Sequence, residues 1–144
     1  MHRGFVKAYL SVRDAIHQHI TTQNDTSVVV TGHSLGGAIA TLCALDLQYN
    51  FFDADAVKLY TFGCPRVGNA DFRQSFSRRV PQSYRIINGM DIIPAMPRPW
   101  QGYRHIDREY RIGRRFSFRF ISQRIRDHSI SLYLEQLRQI ASGT

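Results

Sequence analysis

The chain has little that would build a membrane span, a disulfide scaffold or a disordered tail. No apolar run approaches the ~20 residues that cross a bilayer. The opening Met-His-Arg-Gly-Phe-Val-Lys carries no apolar stretch of a secretory leader. Cysteine is scarce: Cys43 and Cys64 are too few for a disulfide framework and are expected to be buried or idle thiols. These absences lean the expected localisation toward the cytoplasm. No repeat, low-complexity tract or interdomain linker interrupts residues 1–144, which therefore read as a single domain. Apolar residues make up 43% and aromatics 12%, enough for a core.

Lysine is the other scarcity. Two lysines accompany seventeen arginines against eleven acids, for a formal charge of +8. Arginine crowds residues 98–126, around Arg111-Ile-Gly-Arg-Arg-Phe-Ser-Phe-Arg-Phe-Ile. Such a balance suits an anionic membrane or a nucleic acid, but a solvated basic face or arginine-biased codon usage produces it equally. No ribonucleoprotein signature, zinc spacing or helix-turn-helix pattern accompanies the charge, so no nucleic-acid partner is expected.

What is present is concentrated in residues 28–37. The β-branched run Val28-Val29-Val30-Thr31 leads into Gly32-His33-Ser34-Leu35-Gly36, and the small-residue stretch from Ala38 to Leu42 follows. Strand, tight turn and helix in that order are the context of a nucleophile elbow, in which a strained serine is pushed out of the sheet's end. Gly32 and Gly36 remove side chains that would collide across the turn. Leu35 opens the helix, so its backbone N–H has no helical acceptor and can face an oxyanion beside Ser34. Alone, the motif is weak.

Periodicity places the rest. Phe5, Tyr9, Val12, Ile16 and Ile20 recur at helical spacing, with His17 and His19 among its polar, solvated positions. Strands are expected over 27–31, 57–62, 84–88 and near 109–112, and an extended segment over 116–120. Helices are expected over 35–48, after the cap Asn69, and through Ile130, Tyr133, Leu134, Leu137 and Ile140. Alternating strands and helices imply an α/β fold with a mostly parallel sheet flanked by helices. Working groups in such sheets gather at the carboxyl ends of the strands. Ser34 lies past one such end and Asp91 past another.

A serine hydroxyl holds its proton near neutral pH and needs a base, itself oriented by an acid. In this kind of sheet the chain order is Ser, Asp or Glu, then His. Ser34, Asp91 and His128 follow that order. Spacing alone leaves His105, in Gly102-Tyr103-Arg104-His105, as a rival base, and Asp91 beside Gly89 as a turn cap. His33 adjoins the nucleophile, but neighbours on an elbow point different ways.

Wider blocks now matter. His2-x-Gly4-Phe5 with Tyr9 precedes Val30-Thr31-Gly32-His33-Ser34-Leu35-Gly36-Gly37-Ala38. Tyr60-Thr61-Phe62-Gly63-x-Pro65-Arg66-Val67-Gly68-Asn69 follows, then Arg85-x-x-Asn88-x-x-Asp91-x-x-Pro94, Gly102-Tyr103-x-His105, and Asp127-His128 with Tyr133. In content and order the chain resembles the class 3 lipases, the fungal-type triacylglycerol lipase family of the α/β-hydrolases. The resemblance implies a serine-dependent lipase or esterase cleaving acylglycerol-type lipid esters through an acyl-enzyme. It implies Ser34 as nucleophile, Asp91 as acid, His128 as general base and the Leu35 N–H in the oxyanion hole. His105 becomes a structural residue, and no metal or organic cofactor is implied.

Two departures shape the expectation. The family's strands, lid helix and second oxyanion donor ahead of His-x-Gly-Phe have no counterpart within 1–144, so the chain reads as the C-terminal portion of an α/β-hydrolase fold. The Ser34 strand would then be a sheet edge, completed by a missing N-terminal segment or a partner chain. The 37-residue step from Asp91 to His128 is also short and holds the Arg/Phe segment 114–120. Its arginines would engage lipid phosphates while phenylalanines enter the acyl layer, or it is a strand with one core face and one wet face. A catalytically silent fragment serving as an interaction or membrane-surface module is the competing reading.

Overall fold

Apolar residues one helical turn apart lead the chain into its core. Phe5, Val6, Ile16 and Ile20 lie with buried Tyr9 on one side of α1 (Arg3–Thr21), which packs across α2 (Leu35–Asn50). The computed structural model describes residues 1–106, 108–113 and 121–143. The expected extended segment at 116–120 lies outside the described residues.

Four strands follow one another in the sheet as in the chain: β1 (Val28–His33), β2 (Val57–Phe62), β3 (Gln82–Asn88) and β4 (Arg108–Ile112), all parallel. Val57, Leu59 and Thr61 point to one face and are essentially sealed from solvent. Above them α2 turns Ala38, Ala40 and Ala44 inward, and these small side chains let helix and sheet approach closely. That apolar helix is buried for much of its length, as its composition implies. On α3 (Ala70–Arg79) Asn69 accepts the Phe72 N–H through its side chain at 3.1 Å, and Phe72 and Phe76 seal the core's margin.

The opposite face carries Tyr60 stacked on Tyr84, centroids 5.1 Å apart. It is partly roofed by α5 (Ile130–Ser142), whose Tyr133 meets Phe62 edge-on, while α4 (Ile121–Arg126) lies against the segment that follows β3 through Arg124. Among the described residues β1 pairs with β2 alone, and its Val29 is 62% exposed. β1 is an edge strand.

β3 starts two residues earlier than the sequence reading, at Gln82, α2 ends two later, at Asn50, and β1 and α4 differ further. β1 runs on to His33 because parallel pairing with β2 continues through Gly32↔Thr61 and His33↔Phe62 up to the elbow. The six-residue α4 is too short to display an apolar period and was not foreseen.

A polar clamp joins α1 to α2. The Asp46 carboxylate accepts the Tyr9 hydroxyl at 2.6 Å, the Arg13 Nε–H at 3.2 Å and the ring N–H of His17. His17, expected in solvent, is therefore a partner in the helix–helix contact. Its own helix gives no sign of this, because the acceptor lies 29 residues on. Burial pushes the Asp46 carboxyl up, but the donors outweigh it and hold it below its usual value of 3.8. The folded carboxyl thus titrates below the unfolded one. Its stabilisation is complete above the unfolded value and is lost as pH falls through the folded value. Asp46→Asn should lower stability at pH 7 by about 1–3 kcal/mol. Urea unfolding at pH 7 and pH 3 checks this, since the variant should lose less between the two than the wild type.

Candidate active site

Where β1 meets α2 the chain reverses within one residue. Ser34 adopts φ 56°, ψ −125°, a conformation L-residues rarely hold. Its N–H donates to the Phe62 carbonyl at 2.9 Å and its carbonyl accepts the Gly37 N–H at 3.0 Å, which pins the turn from both sides. A side chain at Gly32 would place its Cβ 2.2 Å from the Gly36 oxygen, so the reversal requires glycine there, whereas a Cβ at Gly36 would meet nothing within 4 Å, which corrects the expectation that both glycines avoid a collision. Leu35 begins the helix, leaving its N–H without an intrahelical acceptor beside Ser34.

Asp91 follows the end of β3, its side chain fully buried. One carboxylate oxygen accepts the Ile93 N–H at 2.9 Å. The other accepts the Tyr133 hydroxyl at 2.7 Å and the His128 Nδ1–H at 2.8 Å. His128 Nε2 then lies 2.7 Å from Ser34 Oγ and accepts its proton in the hydrogen bond. Three residues spread over almost a hundred positions form one continuous hydrogen-bonded line. Gly63, at φ 58°, opens the space: a Cβ there would sit 2.7 Å from Asp91 Oδ2 and 3.0 Å from His128 Nδ1.

The turn bearing His128 is bolted to the end of β3. Asp127 accepts the Met90 N–H at 2.9 Å and the Gln123 amide at 2.7 Å, while Asn88 donates to the Asp127 carbonyl at 3.0 Å. Asp127 is buried. The sequence reading gave it no role, although Asp91 and the Asp127–His128 pair flank the same strand end in space. Tyr133 likewise gains its meaning only from the fold. Its hydroxyl pKa is raised by burial and by the carboxylate it serves.

His105, the rival base, is occupied elsewhere. Its Nε2–H donates to the Pro94 carbonyl at 2.7 Å, and burial pushes its pKa down to about 3. His33, expected to point differently from Ser34, nonetheless borders the site, because its ring stacks on that of His128. Beside Ser34 lies a mainly apolar cavity of about 490 Å³, lined among others by Phe5, Leu35, Ile93, Met96 and Tyr103. Among the described residues no cluster of three or more His, Cys, Asp or Glu side chains could hold a metal ion, and no helix is long and apolar enough to cross a membrane.

A parallel sheet with helices on both faces and a serine elbow at its strand ends make this a partial α/β-hydrolase fold. The model of the family Lipase (class 3) matches residues 1–100, which include Ser34 and Asp91. The chain belongs to the class 3 lipase family. It is 41% identical over 114 residues to secreted mono- and diacylglycerol lipase 1 of Fusarium solani, covering 76% of this chain and 33% of that protein. It is 38% identical over 104 residues to the chloroplastic phospholipase A(1) DAD1 of Arabidopsis thaliana, covering 65% and 23%. The native Rhizomucor miehei lipase propeptide complex superposes with TM-score 0.74 at 37% identity, over 77% of this chain and 38% of that one. A triacylglycerol lipase whose catalytic centre is formed by a serine protease triad superposes with TM-score 0.70 at 37% identity, over 77% and 44%. The chain thus spans a third or less of these curated relatives.

Proposed function

We propose that this chain carries the catalytic relay of a serine-dependent carboxylic ester hydrolase acting on acylglycerol-type lipid esters. The observation that carries the reading is the unbroken Ser34–His128–Asp91 hydrogen-bonded line, with contacts of 2.7 and 2.8 Å. Ser34 Oγ attacks the ester carbonyl carbon while its proton passes to His128 Nε2. The tetrahedral oxyanion turns to the Leu35 N–H. As the C–O bond to the alcohol breaks, His128 returns the proton to the departing oxygen. His128 then takes a proton from water, whose oxygen attacks the acyl-Ser34 carbonyl; as the Oγ–acyl bond breaks, His128 returns that proton to Ser34 Oγ and the fatty acid leaves. Asp91 keeps the His128 proton on Nδ1 and stabilises the imidazolium. None of these steps requires a metal or an organic cofactor.

The apolar cavity beside Ser34 suits an acyl chain, and the relatives' names, mono- and diacylglycerol lipase and phospholipase A(1), support a lipid ester as substrate. A second oxyanion donor and a strand along the open β1 edge would come from a partner chain or from a segment outside residues 1–144. An anionic lipid surface is the proposed docking partner. Trp100 is 77% exposed under the Arg98 guanidinium, on the loop whose Met96 and Gln101 border the cavity.

A fluorophosphonate probe tests the chemistry directly. Covalent labelling at Ser34, with release of fatty acid from a short-chain diacylglycerol, is the expected result. An unlabelled serine and background hydrolysis would leave the silent-fragment reading. The same protein should sediment with anionic vesicles at low salt and be released as salt rises.

A further inference from the structure

We propose that His33 is a positioning residue for His128, holding the base in place through the stage at which Ser34 is acylated. This rests on the esterase reading above. β1 register puts His33 opposite Phe62, on the sheet face that α5 covers, one residue before the chain reverses at Ser34. There its Nε2–H donates to the backbone carbonyl of His128 at 2.8 Å. Its ring also stacks on the His128 ring, centroids 4.6 Å apart and planes 29° from parallel. On its other side Tyr133 meets it edge-on at 5.6 Å. One side chain thus fixes both the backbone and the ring plane of the base.

The groups that face His33 are His128 on the turn, Asp91 after β3 and Tyr133 on α5. Burial lowers its pKa, and the carbonyl acceptor keeps the proton on Nε2. It therefore offers a neutral ring face to the imidazolium that forms beside it, rather than a second positive charge.

The timing follows from the bonds. In the free protein His128 is held by Asp91 at Nδ1 and by Ser34 at Nε2. Once Ser34 Oγ carries an acyl group it has no proton to give, and the Nε2 contact is gone. Asp91 alone leaves the ring free to rock about that single bond. The contacts from His33 do not involve Ser34 and persist, so His128 Nε2 stays aimed at the attacking water. Loss of His33 should accordingly slow deacylation more than acylation.

The test compares His33→Phe, which keeps a ring but removes the donor, with His33→Gln, which keeps a donor but removes the ring. On a soluble chromogenic short-chain ester, His33→Phe should lower kcat by about 10- to 100-fold. KM should fall with it, and a pre-steady-state burst of alcohol should appear as acyl-enzyme accumulates. Its rate of fluorophosphonate labelling should change by less than about 3-fold, and His33→Gln should recover much of kcat. A His33→Phe variant with wild-type kcat and no burst overturns the inference. So does an equal loss of kcat and labelling rate, which marks general disruption of the site. Should the wild type neither label nor hydrolyse, the esterase reading fails, and nitrogen NMR of the His128 ring in a Ser34→Ala background, where the Nε2 contact is absent, decides the inference separately. Exchange broadening in His33→Phe but not in His33→Gln supports the tether, and unchanged signals in both refute it.

Discussion

Ser34→Gly should abolish ester hydrolysis and at the same time raise the melting temperature. Without the hydroxyl there is no acyl acceptor, and kcat should fall by about 10⁴- to 10⁶-fold toward the rate that the oxyanion donor and binding alone sustain. The stability gain comes from the backbone. A non-glycine residue at φ 56°, ψ −125° stores about 1–3 kcal/mol, which glycine relieves at a smaller entropic cost in the unfolded chain. A net rise of a few degrees is expected, on the order of 2–6 °C. Ser34→Ala isolates the cause, because it loses the same activity but keeps the same backbone. Thermal melts of the three proteins side by side provide the check: equal melting temperatures for Gly and Ala would mean that the turn is not strained.

Asp91→Asn should leave the fold nearly intact and cut kcat by about 10⁴-fold. The reason lies in how the carboxylate is committed. Its Oδ1 faces the Ile93 N–H at 2.9 Å, and an amide nitrogen there would set donor against donor. The asparagine must therefore turn its oxygen to Ile93 and its NH2 to Tyr133 and His128. Tyr133 can reverse its hydroxyl and accept. His128 must then accept at Nδ1, which moves its proton to Nε2. A protonated Nε2 cannot receive the Ser34 proton. Steady-state kinetics with an unchanged circular dichroism spectrum would bear this out, whereas retained kcat would remove Asp91 from the mechanism.

Ser34, Asp91 and His128 could be found in the sequence because each carries a local mark: a glycine-bracketed turn, the end of a strand, the start of a helix. Chain order left His105 as a rival to His128, and only the resemblance to the class 3 lipases chose between them. The parallel sheet was legible for a similar reason, since alternating apolar strands and helices leave few other arrangements. His33, Asp127 and Tyr133 were harder because their partners are set by packing. Nothing in Gly-His-Ser says that the His33 side chain will pass across the sheet end to a turn 95 residues away. The same holds for His17, whose helix looks polar at that position until α2 brings Asp46 against it. Local patterns identify groups that must exist; the register of the strands and the crossing of the helices decide which of them meet.

The sheet's order has a consequence for how the chain comes to life on the ribosome. Because each strand lies beside its predecessor in the sequence, β1, α2 and β2 can pack while later residues are still being made. The elbow needs only the Phe62 carbonyl to be pinned, so Ser34 is in place early. The histidine that would activate it is synthesised 94 residues after the serine and is anchored only when the end of β3 receives Asp127. While residues 63–127 are being made, the nascent chain carries a shaped Ser34 turn with no His128 beside it. The proposed base joins Ser34 only with the turn that follows α4.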